Sequence, residues 1–132
     1  MNETKPAARQ WAVNEEPGAM LGLETIAIVS TTVAQAHDAE RLAALALQQR
    51  LAACVQVAQV QSHYRWKGAL QREAEWRLDG KTTQAQAPAL LALLRAHHPY
   101  ELPELAVHTC EVSNAYADWV RAETGQALPG AG

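Results

Sequence analysis

A hairpin pattern at residues 55–79, VQVAQVQSHYRWKGALQREAEWRLD, decides the fold of this chain. Apolar side chains recur at alternate positions in both halves, and polar side chains fill the positions between them in the second half, as in a strand with one polar face. The dipeptide Lys67-Gly68 separates the halves and predicts a turn. The apolar positions are odd-numbered up to Val57 and even-numbered from Val60, so we expect a bulge or bend near Ala58–Gln59. Each arm is then roughly twice the usual 5–6 residues of a strand.

The segments before this hairpin predict a strand and a helix. Residues 24–32, ETIAIVSTT, are apolar and β-branched, which is typical of a buried strand. Residues 35–50 carry apolar side chains at helical spacing and contain neither glycine nor proline, which predicts an amphipathic helix.

The segments after the hairpin predict a second helix, a fourth strand and a short terminal helix. We expect Thr82 or Thr83 to cap the second helix, which should end before Pro99. Residues 105–112 predict a strand, and Asn114 is expected to cap the terminal helix. The order β-α-β-β-α-β plus a helix predicts an α+β fold, the ferredoxin-like sandwich, with strand order 4-1-3-2.

Composition predicts one domain with a tail at each end. The chain has 132 residues, and its 11 basic and 14 acidic residues give a formal net charge of −3, which argues against a nucleic-acid partner. Residues 1–22 lack the apolar run of a signal peptide or membrane anchor, so we expect a flexible tail there, a folded domain over 23–124 and a second tail over 125–132. Two cysteines are too few for a disulfide scaffold, which favours a reducing compartment. Together with the lack of a signal peptide or membrane anchor in residues 1–22, this predicts a cytoplasmic protein with no membrane partner.

The first arm of the hairpin is expected to form one edge of the sheet. It carries Val60, Tyr64 and Trp66. A long exposed apolar edge favours pairing with another chain, so we expect an oligomer and not a monomer.

Five short motifs, in order along the chain, resemble the CutA family of divalent-cation tolerance proteins. The resemblance extends over about residues 26–122. The motifs are Leu51-Ala52-Ala53-Cys54-Val55, Tyr64-Arg65-Trp66-Lys67-Gly68, Lys81-Thr82-Thr83, His97-His98-Pro99-Tyr100-Glu101-Leu102-Pro103-Glu104-Leu105 and Tyr116-Ala117-Asp118-Trp119.

This resemblance implies a ferredoxin-like fold that assembles as a tight homotrimer, with the long hairpins pairing between subunits. It also implies a link to tolerance of copper and other divalent metals, and a structural similarity to trimeric signalling proteins of the PII type. It implies no catalysis.

Three positions depart from the family pattern. Thr31 stands where some bacterial members carry a cysteine for which copper ligation has been proposed, and Gln56 stands where the family often has asparagine. Asp79-Gly80 replaces an aliphatic pair, and we expect this change to weaken the end of the strand by adding flexibility and charge.

Copper or another divalent cation, weakly bound, is the cofactor that the resemblance suggests, with His97 and His98 as ligands. Imidazole suits copper and zinc, although adjacent residues lie about 100° apart around a helix and chelate one ion only where the helix has unwound. The alternative is that the pair interacts with the dipole at the end of a helix. His108 and Cys110 share a strand face, but their apolar neighbours favour packing.

A second hypothesis is a ligand cleft between subunits, formed by Trp66, Lys67, Glu73 and Lys81. A lysine near a helix N-terminus can hold a carboxylate or phosphate, whereas a solvated lysine on a turn is the alternative. The remaining family-motif residues are interpreted as structural. These are Cys54, Tyr64, Thr82, Pro99, Tyr100, Pro103 and Glu104.

The sequence contains none of the common nucleophile or phosphate-binding motifs, so we expect a protein that is not an enzyme. The alternatives to metal tolerance are a PII-like trimeric sensor that binds a small anion between subunits, and a trimeric scaffold for an unidentified protein partner.

Overall fold

The computed structural model describes residues 22–125, and within this range the chain forms one four-stranded antiparallel sheet and three helices. The strand order β2-β3-β1-β4 confirms the predicted ferredoxin-like arrangement, and the two predicted tails lie almost entirely outside the described residues. No helix in the described part of the chain is long and apolar enough to cross a membrane. The elements are β1 (Leu23–Val33), α1 (Ala36–Gln48), β2 (Cys54–Trp66), β3 (Ala69–Thr82), α2 (Ala87–His97), β4 (Ala106–Ser113) and α3 (Asn114–Glu123).

One face of the sheet packs against α1 and α2 and forms the main core. Gly80 of β3 lies on this face, and a Cβ atom there would stand only 3.0 Å from Cδ2 of Leu90 in α2. The core is therefore built from small and aliphatic side chains that let the helices approach the sheet closely. Its buried members are Ala27, Val29, Val33, Ala39, Leu42, Ala46, Ala52, Leu78, Ala87, Leu90, Leu93 and Leu94.

The opposite face of the sheet is covered by α3 at one end only. Ala117 and Val120 of α3 bury Ile26 of β1, and Cys110 of β4 packs against this small cluster. We call the remainder of this side the open face. It includes the outward-facing side chains of β2 and β3.

The predicted hairpin is present, but the predicted bulge is wrong. The β2–β3 register is unbroken from Cys54 opposite Lys81 to Trp66 opposite Ala69. The change in parity instead places apolar side chains on both sides of β2, because the strand extends beyond the helices and each face meets a different environment. The turn has positive φ at both central residues, Lys67 (50°) and Gly68 (81°), as a type I′ turn requires.

Neither helix begins at its predicted cap: the N-cap of α2 is Gln86, three residues after Thr83, and the N-cap of α3 is Ser113, one residue before Asn114. Thr82 still belongs to β3, and the hydroxyl of Thr83 instead accepts a hydrogen bond from the Gln86 backbone N–H (3.1 Å) in the turn before α2. Ser113, not Asn114, caps α3 by accepting from the Tyr116 backbone N–H (3.2 Å). In each case a hydroxyl shortly before the helix accepts a hydrogen bond from a backbone N–H near the helix start.

Candidate functional site

His98 connects the end of α2 to the end of β1. Its Nδ1 accepts a hydrogen bond from the Tyr100 backbone N–H (3.0 Å). The neutral ring therefore carries its proton on Nε2, which donates to the Thr32 carbonyl oxygen (3.0 Å) and lies 2.9 Å from the Thr31 hydroxyl. The Thr31 hydroxyl in turn donates to the Glu104 carbonyl oxygen (2.6 Å). Burial lowers the pKa of His98, which favours the neutral ring that these contacts need.

His97 is placed differently from its neighbour. It is exposed, and its backbone carbonyl accepts a hydrogen bond from Nη2 of Arg41 (3.1 Å). Residues 22–125 contain no group of three or more His, Cys, Asp or Glu side chains that could hold a metal ion. The pair thus offers one free imidazole and one whose two nitrogens are already hydrogen-bonded, and its role as a metal site stays a prediction.

Glu75 is the centre of a polar cluster at the base of the outer hairpin. It is 8% exposed, and its carboxylate accepts hydrogen bonds from the hydroxyls of Ser62 (2.6 Å) and Tyr100 (2.7 Å). Burial raises the pKa of Tyr100, and the hydrogen bond to Glu75 raises it further. Tyr64 makes a parallel contact on the surface, where its hydroxyl donates to Glu73 (2.8 Å) and this bond raises the pKa of Tyr64.

No sequence motif indicated Ser62, and the alternation of polar residues predicted only that Glu75 lies on the polar face of its strand. The turn at Lys67-Gly68 fixes an unbroken register in which Ser62 is opposite Glu73 and adjacent to Glu75 along the open face, so this half of the cluster was accessible from the sequence. The contact from Tyr100 was not, because it depends on how the loop after α2 crosses the end of β1.

The four cleft candidates are not brought together within one chain. Trp66 and Lys67 lie at the turn, where Nζ of Lys67 is 5.8 Å from the centre of the Trp66 ring. Lys81 lies near the other end of β3, with its Nζ 5.8 Å from the centre of the Tyr116 ring, and Glu73 lies between. At about 3.3 Å per residue the two ends of β3 are about 40 Å apart. A cleft formed by these residues therefore needs a second chain and stays a prediction.

The Asp79-Gly80 departure does not interrupt β3. The strand continues to Thr82. The Asp79 carboxylate accepts a hydrogen bond from the Ser30 hydroxyl (2.6 Å) and forms an ion pair with Nε of Arg77 (3.2 Å). Both positions have a packing or bonding role in β3, and the expected effect on flexibility stays a prediction. Asp79 contributes to a groove of about 520 Å³ on the open face, lined by Ile28, Ser30, Gln56, Arg77, Asp79, Lys81, Glu104, Ala106 and His108.

The remaining family-motif residues lie at the ends of strands or in the loop after α2, and their interpretation as structural stays a prediction. Cys54 is a free, half-buried thiol at the start of β2. Thr82 is fully buried, and its hydroxyl has no hydrogen-bond partner among the described residues. His98 ends α2 with extended backbone geometry, and Pro99 follows it. Pro103 lies in the loop that leads to β4.

The whole folded region matches a known family. Residues 27–123 match the family model described as CutA1 divalent ion tolerance protein. This chain belongs to the CutA family. Its curated relatives include the divalent-cation tolerance protein CutA of Thermus thermophilus, 37% identical over 100 residues that cover 74% of this chain and 97% of that protein. The protein of the same name from Escherichia coli O45:K1 is also 37% identical, over 74% of this chain and 89% of that protein.

Solved structures of the family share this fold. CutA from Synechococcus elongatus PCC7942 is 41% identical, with a TM-score of 0.74 over 79% of this chain and 96% of that one. CutA1 from Oryza sativa is 32% identical, with a TM-score of 0.72 over 76% of this chain and 94% of that one. Both the resemblance drawn from the five motifs and the predicted fold of the CutA domain are confirmed.

Proposed function

We propose that this CutA-family chain acts in divalent-cation tolerance as a homotrimer, by binding and not by catalysis. The observation that carries the proposal is the outer half of the hairpin, which leaves large apolar side chains uncovered in a single chain. Leu70 is 76% exposed and Trp66 is 45% exposed, although both belong to a regular hairpin. Large apolar side chains exposed on a regular hairpin favour burial against another subunit.

Two further features support assembly. β2 forms an edge of the sheet, so one side of its backbone lacks a strand partner within the described residues. The open face beside it is covered by α3 only near Ile26. Unpaired edges of this length are a common route to pairing between chains.

Sedimentation equilibrium at micromolar concentration tests the assembly. We expect a mass of about 43 kDa, three times the 14.3 kDa of one chain. A mass of one chain across the concentration range would contradict the proposal, whereas a dimer would contradict the trimer and leave self-association in place.

Within this function we propose that copper or another divalent cation binds weakly near the surface through His97 and His98. His97 supports this assignment because its imidazole is exposed and imidazole is a good ligand for Cu²⁺ and Zn²⁺. His98 can join only by releasing the Tyr100 N–H or the Thr32 carbonyl, and this cost is one reason to expect weak binding.

Calorimetric titration of Cu²⁺ into the native chain and a His97→Ala variant tests the ligands. We expect His97→Ala to lose the binding heat and His37→Ala to retain it, because His37 is an exposed histidine on a different element, with its side chain 76% exposed. Equal binding by native chain and His97→Ala would remove the assignment. The His97→Ala/His98→Ala double variant is compared only after its unfolding curve shows that it folds.

The cytoplasmic location and the two alternative functions remain predictions. Thermal-shift measurements separate the alternatives from metal tolerance: stabilisation by Cu²⁺ or Zn²⁺ favours the proposal, and stabilisation by nucleotides or organic acids favours a PII-like sensor. Stabilisation by neither ligand class would favour a scaffold for a protein partner.

A further inference from the structure

The two faces of the outer hairpin differ in charge. Even-numbered side chains of β3 lie on the helix side of the sheet, as the buried core residue Leu78 shows, and Arg72 therefore lies on that side. The register places His63 of β2 directly opposite Arg72, and Arg65 directly opposite Leu70, so these four side chains share one side of the hairpin. We call this side, at these four residues, the basic face.

The acidic residues of the hairpin lie on the other side, on the open face. Glu73 and Glu75 are odd-numbered in β3, so their side chains alternate away from that of Arg72. Both carboxylates accept hydrogen bonds from hydroxyl groups at 2.6 to 2.8 Å. The two carboxylates nearest in sequence therefore do not neutralise the basic face.

The basic face brings like charges together without a counter-ion. Within residues 22–125, none of His63, Arg65 and Arg72 forms an ion pair, and all three are exposed. The two arginines are diagonal neighbours across the antiparallel pair, and like charges on facing strands destabilise it. A bound anion would relieve this repulsion.

The basic face also lines a concavity of the size that small ligands occupy. Its volume is about 370 Å³, and it is lined by His63, Tyr64, Arg65, Leu70, Gln71 and Arg72. Diagonal neighbours are about 7–8 Å apart, so the two guanidinium groups can contact different parts of one elongated anion. Each guanidinium can bind a phosphate group through two parallel hydrogen bonds.

We propose that the basic face binds a linear di- or triphosphate group. Arg65 and Arg72 each hold one phosphate of the chain, and the imidazole of His63 supplies a further donor. The site uses residues of one chain, and it goes beyond the proposed cation tolerance and homotrimer. It also differs from the PII-like alternative, in which the anion lies between subunits.

Calorimetric titration of sodium tripolyphosphate into the chain in its native assembly, in metal-free buffer, tests the site. The native chain is compared with Arg65→Gln, Arg72→Gln and Arg77→Gln. Each variant loses one positive charge at an exposed position, so each should keep the fold. Arg77→Gln is the matched control because Arg77 lies on the same strand but on the open face, where it pairs with Asp79.

We expect the affinity for tripolyphosphate to fall by at least about tenfold in Arg65→Gln and in Arg72→Gln, since each loses a charge-assisted contact. Arg77→Gln should bind like the native chain. Orthophosphate should bind less tightly than tripolyphosphate, because a single phosphate cannot reach both guanidinium groups. With adenosine triphosphate as a second probe, an equal affinity would assign recognition to the phosphate chain, and a higher affinity would add a contact with the nucleoside.

Three results overturn the site. They are the absence of binding heat with the native chain, equal affinity for orthophosphate and tripolyphosphate, and equal losses in all three variants, which would indicate attraction by net charge alone. Sedimentation of the same samples measures the assembly separately. A native trimer that fails to bind tripolyphosphate would therefore overturn the site and leave the proposed homotrimer in place.

Discussion

At the scale of single residues, we expect substitutions of the adjacent residues His98 and His97 to affect the free energy of unfolding very differently. We expect His98→Ala to lower the free energy of unfolding by about 1–3 kcal/mol, because the Tyr100 N–H and the Thr32 carbonyl lose their partner in a half-buried site. His97→Ala should change it by less than about 0.5 kcal/mol, since that side chain is exposed. Urea unfolding at one fixed protein concentration measures both, and similar losses in the two variants would contradict the assigned contacts.

The same residue predicts a dependence of stability on pH. Burial lowers the pKa of His98 below its ordinary value of 6.5 and Arg41 adds to this shift, although the hydrogen bond to the Thr32 carbonyl and the carboxylates of Asp38 and Glu75 partly oppose it. The unfolded chain therefore binds the proton more tightly, and stability from the neutral ring is complete above pH 6.5 and declines as the pH falls below it. We expect the stability difference between native chain and His98→Gln to shrink between about pH 7 and about pH 5. A difference independent of pH would contradict a neutral, buried ring.

Tyr100 supplies a third test at this scale. Tyr100→Phe removes one of the two hydroxyls that donate to the buried Glu75 carboxylate, and we expect a loss of about 1 kcal/mol in the free energy of unfolding. Tyr64→Phe is the matched control because Tyr64 donates to the exposed Glu73, and its effect should be smaller. An equal effect of the two variants would show that burial of Glu75 does not matter.

At the scale of elements, β3 and α2 approach each other closely at Gly80. Gly80→Val should lower the free energy of unfolding by about 1–3 kcal/mol, because its Cβ alone would lie 3.0 Å from Cδ2 of Leu90. Gly80→Val/Leu90→Ala should lose less than the sum of the two single variants, since the shortened side chain makes room. Additive losses in a double-mutant cycle would mean that the two positions do not compete for the same space.

An element could be predicted from the sequence where the residues that determine it lie close together along the chain. The hairpin, its turn at Lys67-Gly68 and the stripes of α1 and α2 are encoded by spacing within one segment, and all are present. The bulge was wrong because the parity change at Val60 reflects two environments on the two faces of β2, which only the tertiary fold defines. The His98 junction and the Tyr100–Glu75 bond join residues far apart in sequence, so no local pattern could reveal their geometry.

At the scale of the whole molecule, the small apolar area buried in the core of one chain and the exposed apolar side chains of its hairpin both favour association between subunits. The main core is rich in alanine, which provides little apolar area per residue, while Leu70, Trp66 and Tyr64 remain between 38% and 76% exposed. Part of the apolar surface that could stabilise the fold is thus available only between subunits. Folding and association of this chain are therefore expected to be coupled.

This coupling predicts a melting temperature that depends on protein concentration. Because subunits bind the folded and not the unfolded chain, mass action raises the Tm as concentration increases. We expect calorimetry over about a hundredfold range of concentration to give a rising Tm for the native chain. Arg95→Glu should behave like the native chain because Arg95 is exposed at the end of α2, away from the hairpin. Trp66→Ser/Leu70→Ser should flatten the dependence by removing apolar area from the contact while leaving the core of one chain intact. A constant Tm for the native chain would mean that each subunit is stable alone and that the exposed hairpin adds nothing to the folded state.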